Sequence, residues 1–194
     1  MSYLSFLLFV FVASFTPGPN NIMAMAFANQ YGLKKTTTFS FGVGFGFFII
    51  TLTCISFNLF LTNLLPAIQL PLTILGVGYM LYLAYKILTS KDGESKTSKN
   101  DRNLFLIGMF LQFVNPKGIL YGLTVVSTFI LPNYTSLFSY ITASLFLGMV
   151  GVASTFCWSL FGSILENYIR RYRKAFNILM AVLLVYSALS IIWS

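Results

Sequence analysis

Six stretches of the chain are apolar without interruption by alternating polar residues: Tyr3–Ala28, Thr37–Leu61, Leu70–Thr89, Leu104–Leu131, Phe138–Ser163 and Phe176–Trp193. Each is near or above the ~20 residues that a helix needs to cross a bilayer. Continuous apolarity, instead of every second position, predicts helices and not barrel strands. Two of the stretches carry their own interruption. In the first, Thr16-Pro17-Gly18-Pro19-Asn20-Asn21 places two prolines and a glycine where a helix cannot continue, because proline lacks the N–H and clashes with the preceding turn. In the fourth, Asn115-Pro116-Lys117-Gly118 lies at about the same depth. Freed backbone groups survive at membrane depth only when buried in protein or lining a cavity. Paired breaks of this kind point to a binding site at the midplane of a carrier.

Between the third and fourth stretches, residues 90–103 are polar, charged and poor in apolar side chains, which predicts a cytoplasmic linker between two three-helix halves, about 1–89 and 104–194. The halves resemble each other. Laying Ile74 over Ile178 also superposes Tyr82 on Tyr186, Ala84 on Ala188 and Ile87 on Ile191, and laying Cys54 over Cys157 superposes Ser56 on Ser159. An odd number of spans per half makes the repeat inverted across the membrane. The expected fold is therefore an all-α polytopic membrane protein, one membrane domain over 1–194, with its first and fourth helices broken at proline.

Composition agrees with this class. Only 8% of residues are charged, against about a quarter in soluble domains, and mean hydropathy is +0.83. The net charge of +8 would suggest nucleic acid in a soluble protein, but its placement assigns it to topology. Lys34 and Lys35 follow the first stretch, Lys86 to Arg102 flank the linker, and Arg170, Arg171, Arg173 and Lys174 follow the fifth; the connections near Thr62–Leu70 and Leu131–Leu137 are uncharged. The positive-inside rule then puts both termini outside. The first stretch has no basic leader segment and runs on through Phe27, so it is expected to be a retained span and not a cleaved signal.

The chemistry concentrates at the breaks. Each leaves a half-helix N-terminus whose N–H groups and dipole favour an anion such as a carboxylate. Asn20, Asn21, Asn115 and Gln112 add amides, so Pro17, Gly18, Pro19, Asn20, Asn21, Gln112, Asn115, Pro116 and Lys117 form the candidate substrate site. Lys117 is the one charge well inside a span, about 20 Å of helix from Leu104, too deep to reach the interface by extending its side chain. Burial there costs at least ~2.5–3.5 kcal/mol, which marks a functional residue. All four acids, Asp92, Glu94, Asp101 and Glu166, fall outside the spans, so the counter-charge is expected from a substrate carboxylate or a transient ion. A zwitterionic neutral amino acid fits this site, whereas a dicationic one lacks its carboxylate. If export is proton-coupled, Lys117 is the only evident carrier among Asp, Glu, His and Lys.

Glycines 42, 44 and 46, and 118 with 122, form small-residue patterns for close helix packing. Cys54 and Cys157 fall toward opposite faces and are expected to stay unpaired in apolar surroundings. No metal-ligand spacing, cofactor motif or enzymatic constellation is present. The partners implied are a small amino acid and the lipid bilayer, with a homodimer left open.

The strings TPGPNN, the glycine-rich start of the second span and QFVNPKGILYG resemble the LysE/RhtB family of bacterial amino-acid exporters, and the resemblance runs along essentially the whole chain. It implies outward transport of a small neutral amino acid such as cysteine or O-acetylserine across the plasma membrane, driven by the proton-motive force. The family's motif residues correspond to Pro17, Gly18, Pro19, Asn20, Asn115 and Lys117. Many members carry an acidic residue soon after the glycines of the second span, where this chain has Phe47-Phe48. That departure agrees with a neutral cargo. Threonine, homoserine or another small metabolite is the alternative cargo, and a membrane thiol–disulfide conductor is the alternative from another class.

Overall fold

The structure, a computed structural model, describes residues 3–58, 103–165 and 172–192, with residues 70, 71, 74, 77, 78, 80–82, 84, 85 and 87–89 between them. Every regular element among these is helical. In chain order they are α1 (Tyr3–Phe15), α2 (Pro19–Tyr31), α3 (Leu33–Ser56), α4 (Leu104–Phe113), α5 (Pro116–Val125) continued by a π turn (Val126–Ile130), α6 (Leu137–Ile164) and α7 (Arg173–Ile192). The chain is a polytopic all-α membrane protein. Helices α3 and α6 are each long and apolar enough to cross a bilayer, and α1 with α2, and α4 with α5, pass together as broken spans bent by 50° and 65°.

Both bends fall where proline dictates. The last regular bond of α1 runs from Thr16 N to Val12 O, and the first of α2 from Ile22 N to Gly18 O. Between them Pro17 and Pro19 cannot donate, and Pro19 opens α2 at the position where its missing N–H costs least. Pro116 opens α5 in the same way after the extended cap Asn115. The fourth span then widens at its far end, where Leu131 N bonds Val126 O, five residues back, in the π turn.

The expected boundaries shift in one instructive place. The second span begins at Leu33 and not Thr37, so Lys34 and Lys35 lie in the first turn of α3. A single residue, Gly32 at φ 81°, separates α2 from α3; its N–H closes α2 on Ala28 O, and the left-handed conformation suits glycine alone. At the sixth span the helix likewise takes in Arg173 and Lys174. The third expected span is helical at each of its described residues. Residues 59–69 and the linker at 90–102 lie outside the described residues.

Helix α3 is the centre of the bundle, packed between α4 and α6. Glycines make this possible. A methyl group on Gly42 would strike the Phe105 carbonyl, one on Gly108 would strike the Phe39 carbonyl, and one on Gly148 would lie 2.9 Å from Gly44 O. Along these lines backbone rests on backbone, which is the close approach that small residues permit. Gly118, expected to serve helix packing, instead makes room for a side chain: its added methyl would meet Gln112 Nε2 at 2.6 Å. Outward-facing Leu4, Leu8 and Phe11 of α1 and Leu145 and Met149 of α6 are exposed, as lipid-facing positions are. Met80 and Ala84 of the third span pack with Met180, Ala181 and Leu184 of α7 and Ile22 and Met25 of α2. Cys54 is buried with Phe47 and Ile50; Cys157 is partly buried, and both are free.

Gly108→Ala is expected to destabilise the protein by about 1–3 kcal/mol, because its methyl group meets a backbone carbonyl that no rotamer change can move. Gly78→Ala, with open space around the position, should leave the midpoint of thermal unfolding in detergent unchanged or slightly raised. Equal midpoints for the two variants would disprove the seam.

Candidate functional site

Helix α1 ends at the proline break, so its last carbonyls need partners from elsewhere. Three side chains supply them. Asn21 of α2 donates through Nδ2 to Ser14 O at 2.8 Å and Thr16 O at 3.0 Å. Trp158 of α6 donates through Nε1 to Phe15 O at 3.1 Å. Lys117 of α5 reaches across with Nζ to Thr16 O at 3.1 Å, Thr16 Oγ1 at 2.7 Å and Pro17 O at 3.3 Å. The carbonyl end of a helix carries roughly half a negative charge, so the ammonium meets an opposite partner in the fold itself. Beside the substrate carboxylate or transient ion expected as counter-charge, the end of α1 offers the ammonium its own partial negative charge. Gly18 is a glycine for the same reason, since an added methyl would sit 3.2 Å from Lys117 Cδ and 3.3 Å from Nζ.

The two breaks face a common cavity of about 50 Å³. Six of the candidate residues line it: Gly18, Asn20, Asn21, Gln112, Asn115 and Lys117. Pro17 contributes its carbonyl to Lys117, while Pro19 and Pro116 are buried at the first turns of α2 and α5 and do not line the cavity. Asn20 donates through Nδ2 to Gln112 Oε1, which ties α2 to α4. The remaining amide oxygens, Asn20 Oδ1 and Asn115 Oδ1, are buried without a hydrogen-bond partner. Neither α2 nor α5 has a side-chain cap at its N-terminus.

The site thus has two kinds of unmet capacity. Two helix N-termini and an ammonium offer positive potential for a carboxylate. Two buried acceptor oxygens offer a place for an ammonium, and leaving such groups unpaired costs about 1–3 kcal/mol each. A hollow of this size holds a few waters, so a larger guest must part the walls.

Sequence reasoning missed the rest of the lining. Ser14, Val43, Phe47, Tyr121, Ser154 and Thr155 line it too, with Ala13, Gly118 and Gly151 between them. Ser14 Oγ donates to Tyr121 Oη at 3.2 Å, and the Tyr121 ring stacks on Phe47 with centroids 4.8 Å apart. Tyr121 was findable, because it stands four residues after Lys117 and shares its helix face. Ser154 and Thr155 were hydroxyls in an apolar span. Trp158 had no signal to separate it from ordinary core, whereas Phe47 stands where the family resemblance marks a departure from an acidic residue. Neither Cys54 nor Cys157 lines the cavity, which removes the geometry that a thiol–disulfide conductor would need.

A family model described as LysE type translocator matches residues 11–194. The chain is 36% identical over 189 residues to the cysteine/O-acetylserine efflux proteins of Salmonella typhi, Salmonella paratyphi A (strain ATCC 9150 / SARB42) and Escherichia coli (strain K12). The match covers 97% of this chain and 96% of each relative. No solved structure matches the chain.

Trp158→Phe keeps an aromatic ring but deletes the N–H that Phe15 O accepts, together with the rest of the pyrrole ring. It is expected to lower the free energy of unfolding by about 1–3 kcal/mol, read as a lower thermal midpoint in detergent. An unchanged midpoint would show that the α1 end is satisfied without it.

Proposed function

The chain belongs to the LysE type translocator family, and from that premise we propose that it exports small neutral amino acids, cysteine and O-acetylserine first, across the bacterial plasma membrane. The relatives, cysteine/O-acetylserine efflux proteins, support the cargo. The observation that carries the reading is the meeting of two proline-opened helix N-termini, one ammonium and two unpartnered amide oxygens at a single buried cavity.

In this mechanism the substrate carboxylate lies against the N-termini of α2 and α5 and draws on Lys117. The substrate ammonium lies against Asn20 Oδ1 and Asn115 Oδ1. Its side chain turns toward Phe47 and Tyr121, whose stacked rings suit the polarizable sulfur of cysteine. No carboxylate side chain stands among the lining residues to hold a second positive charge, which favours neutral over dibasic cargo. Alternating access follows from two inverted repeats, about 1–89 and 104–194, that rock against each other around the breaks. The matched proline breaks at α1–α2 and α4–α5 support that division. The charge pattern supports an orientation with both termini outside.

Lys117→Ala is expected to abolish efflux from proteoliposomes while the protein still inserts, and Asn20→Leu and Asn115→Leu to weaken it far more than Cys54→Ser. A panel of labelled cysteine, O-acetylserine, threonine and homoserine, run with and without a pH gradient, reads the cargo and the coupling together. Wild-type rates in the Lys117 variant would reject its role, and preference for threonine or homoserine would replace the cargo.

A further inference from the structure

Helix α1, the π turn with the turn that follows it, and α6 border a second hollow, of about 440 Å³, that is partly open to the surface. Tyr3 and Phe6 line it from α1, Phe129 from the π turn, Asn133 from the turn that follows, and Ser139 and Thr142 from α6. The same three spans line the central cavity, in the same axial order. On α1 the step is from Phe6 to Ala13, on the fourth span from Phe129 to Tyr121, and on α6 from Thr142 to Gly151. Each step is seven to nine residues, about 10–13 Å of helix. The larger hollow therefore stands directly in line with the smaller one.

Aromatic rings fill the gap between them. Phe47 stacks on Tyr121 at 4.8 Å, Tyr121 meets the edge of Phe9 at 5.7 Å, Phe9 stacks on Phe129 at 5.3 Å, and Phe129 meets Phe6 at 5.7 Å. The first two rings line the central cavity, Phe129 and Phe6 line the second hollow, and Phe9 lines neither. The opposite end of the bundle, where Lys34 and Lys35 lie, is closed by backbone on backbone at Gly42 with Phe105, Gly108 with Phe39 and Gly162 with Met25. Side-chain rings clear a path by rotation on a fast timescale, whereas backbone seams part only when whole helices move. Phe129 also rides on the π turn, an irregularity that recurs at functional positions.

We propose that the larger hollow is a vestibule for a zwitterionic amino acid, and that Phe9, Phe129 and Tyr121 gate its passage from the central cavity. This rests on the reading that the central cavity binds substrate. The hydroxyls of Ser139 and Thr142 and the amide of Asn133 give the vestibule a polar side, and its size admits a whole amino acid that the central cavity cannot hold without widening. On the charge-derived orientation the vestibule opens outward, which makes it the exit.

The test is thiol accessibility in a Cys54→Ser, Cys157→Ser background, with a charged, membrane-impermeant methanethiosulfonate as probe. Applied from the Tyr3 face, it should modify Thr142→Cys quickly and Ser154→Cys slowly. Adding Phe9→Ala or Phe129→Ala should raise the Ser154→Cys rate about tenfold or more and leave Thr142→Cys unchanged, since each removes a ring from the barrier. Phe9→Leu and Phe129→Leu, which preserve most of the packing, should give smaller increases of the same sign, and Phe9→Trp a decrease. An unchanged Ser154→Cys rate in the monodisperse leucine and alanine variants would overturn the gate, as would equal acceleration from the Lys34 face. Labelling needs no transport, so failure here leaves the Lys117 efflux test standing, and failure of that test leaves the gate measurable.

Discussion

A carbonyl that loses its helical partner in hydrocarbon must find another donor, and the end of α1 is where this chain meets that demand. Pro17 and Pro19 release the carbonyls; Asn21, Trp158 and Lys117 take them up from three different helices. The break is therefore a junction. It fixes α2 by its own first turn, draws α6 in through an indole, and pulls α5 across the bundle by a long cation. Lys117, at the second position of α5, spans the distance between the two breaks, and the Asn20–Gln112 and Ser14–Tyr121 hydrogen bonds join the same two spans beside it.

Uneven packing follows from where glycine and aromatic residues fall along the same helices. Toward the Lys34 end, α3 meets α4 backbone on backbone at Gly42 and Gly108, with Phe39, Val43 and Leu104 packed alongside. Toward the Tyr3 end, α1, the π turn and α6 are held apart by phenylalanine and tyrosine rings and border the larger hollow. The candidate site sits at the boundary between these regimes, with Gly18, Gly118 and Gln112 fitted to one another closely and Phe47 and Tyr121 forming the softer wall.

Much of this was legible. The positions of both breaks followed from proline stereochemistry, and the apolar runs located the described spans to within a few residues. What escaped had physical reasons. Counting only aspartate and glutamate as counter-charges left Lys117 apparently alone, because the partial charge of a helix end is invisible until two segments about a hundred positions apart are juxtaposed. The start of α3 was placed too late because lysines look like loop, although at a membrane interface they sit comfortably in a first helical turn. Gly118 read as packing because a glycine pattern does not say whether backbone or the amide of Gln112 fills the space. Phe9 and Phe129 were indistinguishable from lipid-facing residues in so aromatic a chain.

Gly32 has a mechanical consequence. One residue joins α2 to α3, and successive α-carbons are 3.8 Å apart, so the two rods share a joint with no slack. The joint holds the two ends together while the glycine corner lets the angle between the rods change, so a displacement of the end of α2 passes to the first turn of α3, where Lys34 and Lys35 stand, and a longer tether would absorb it.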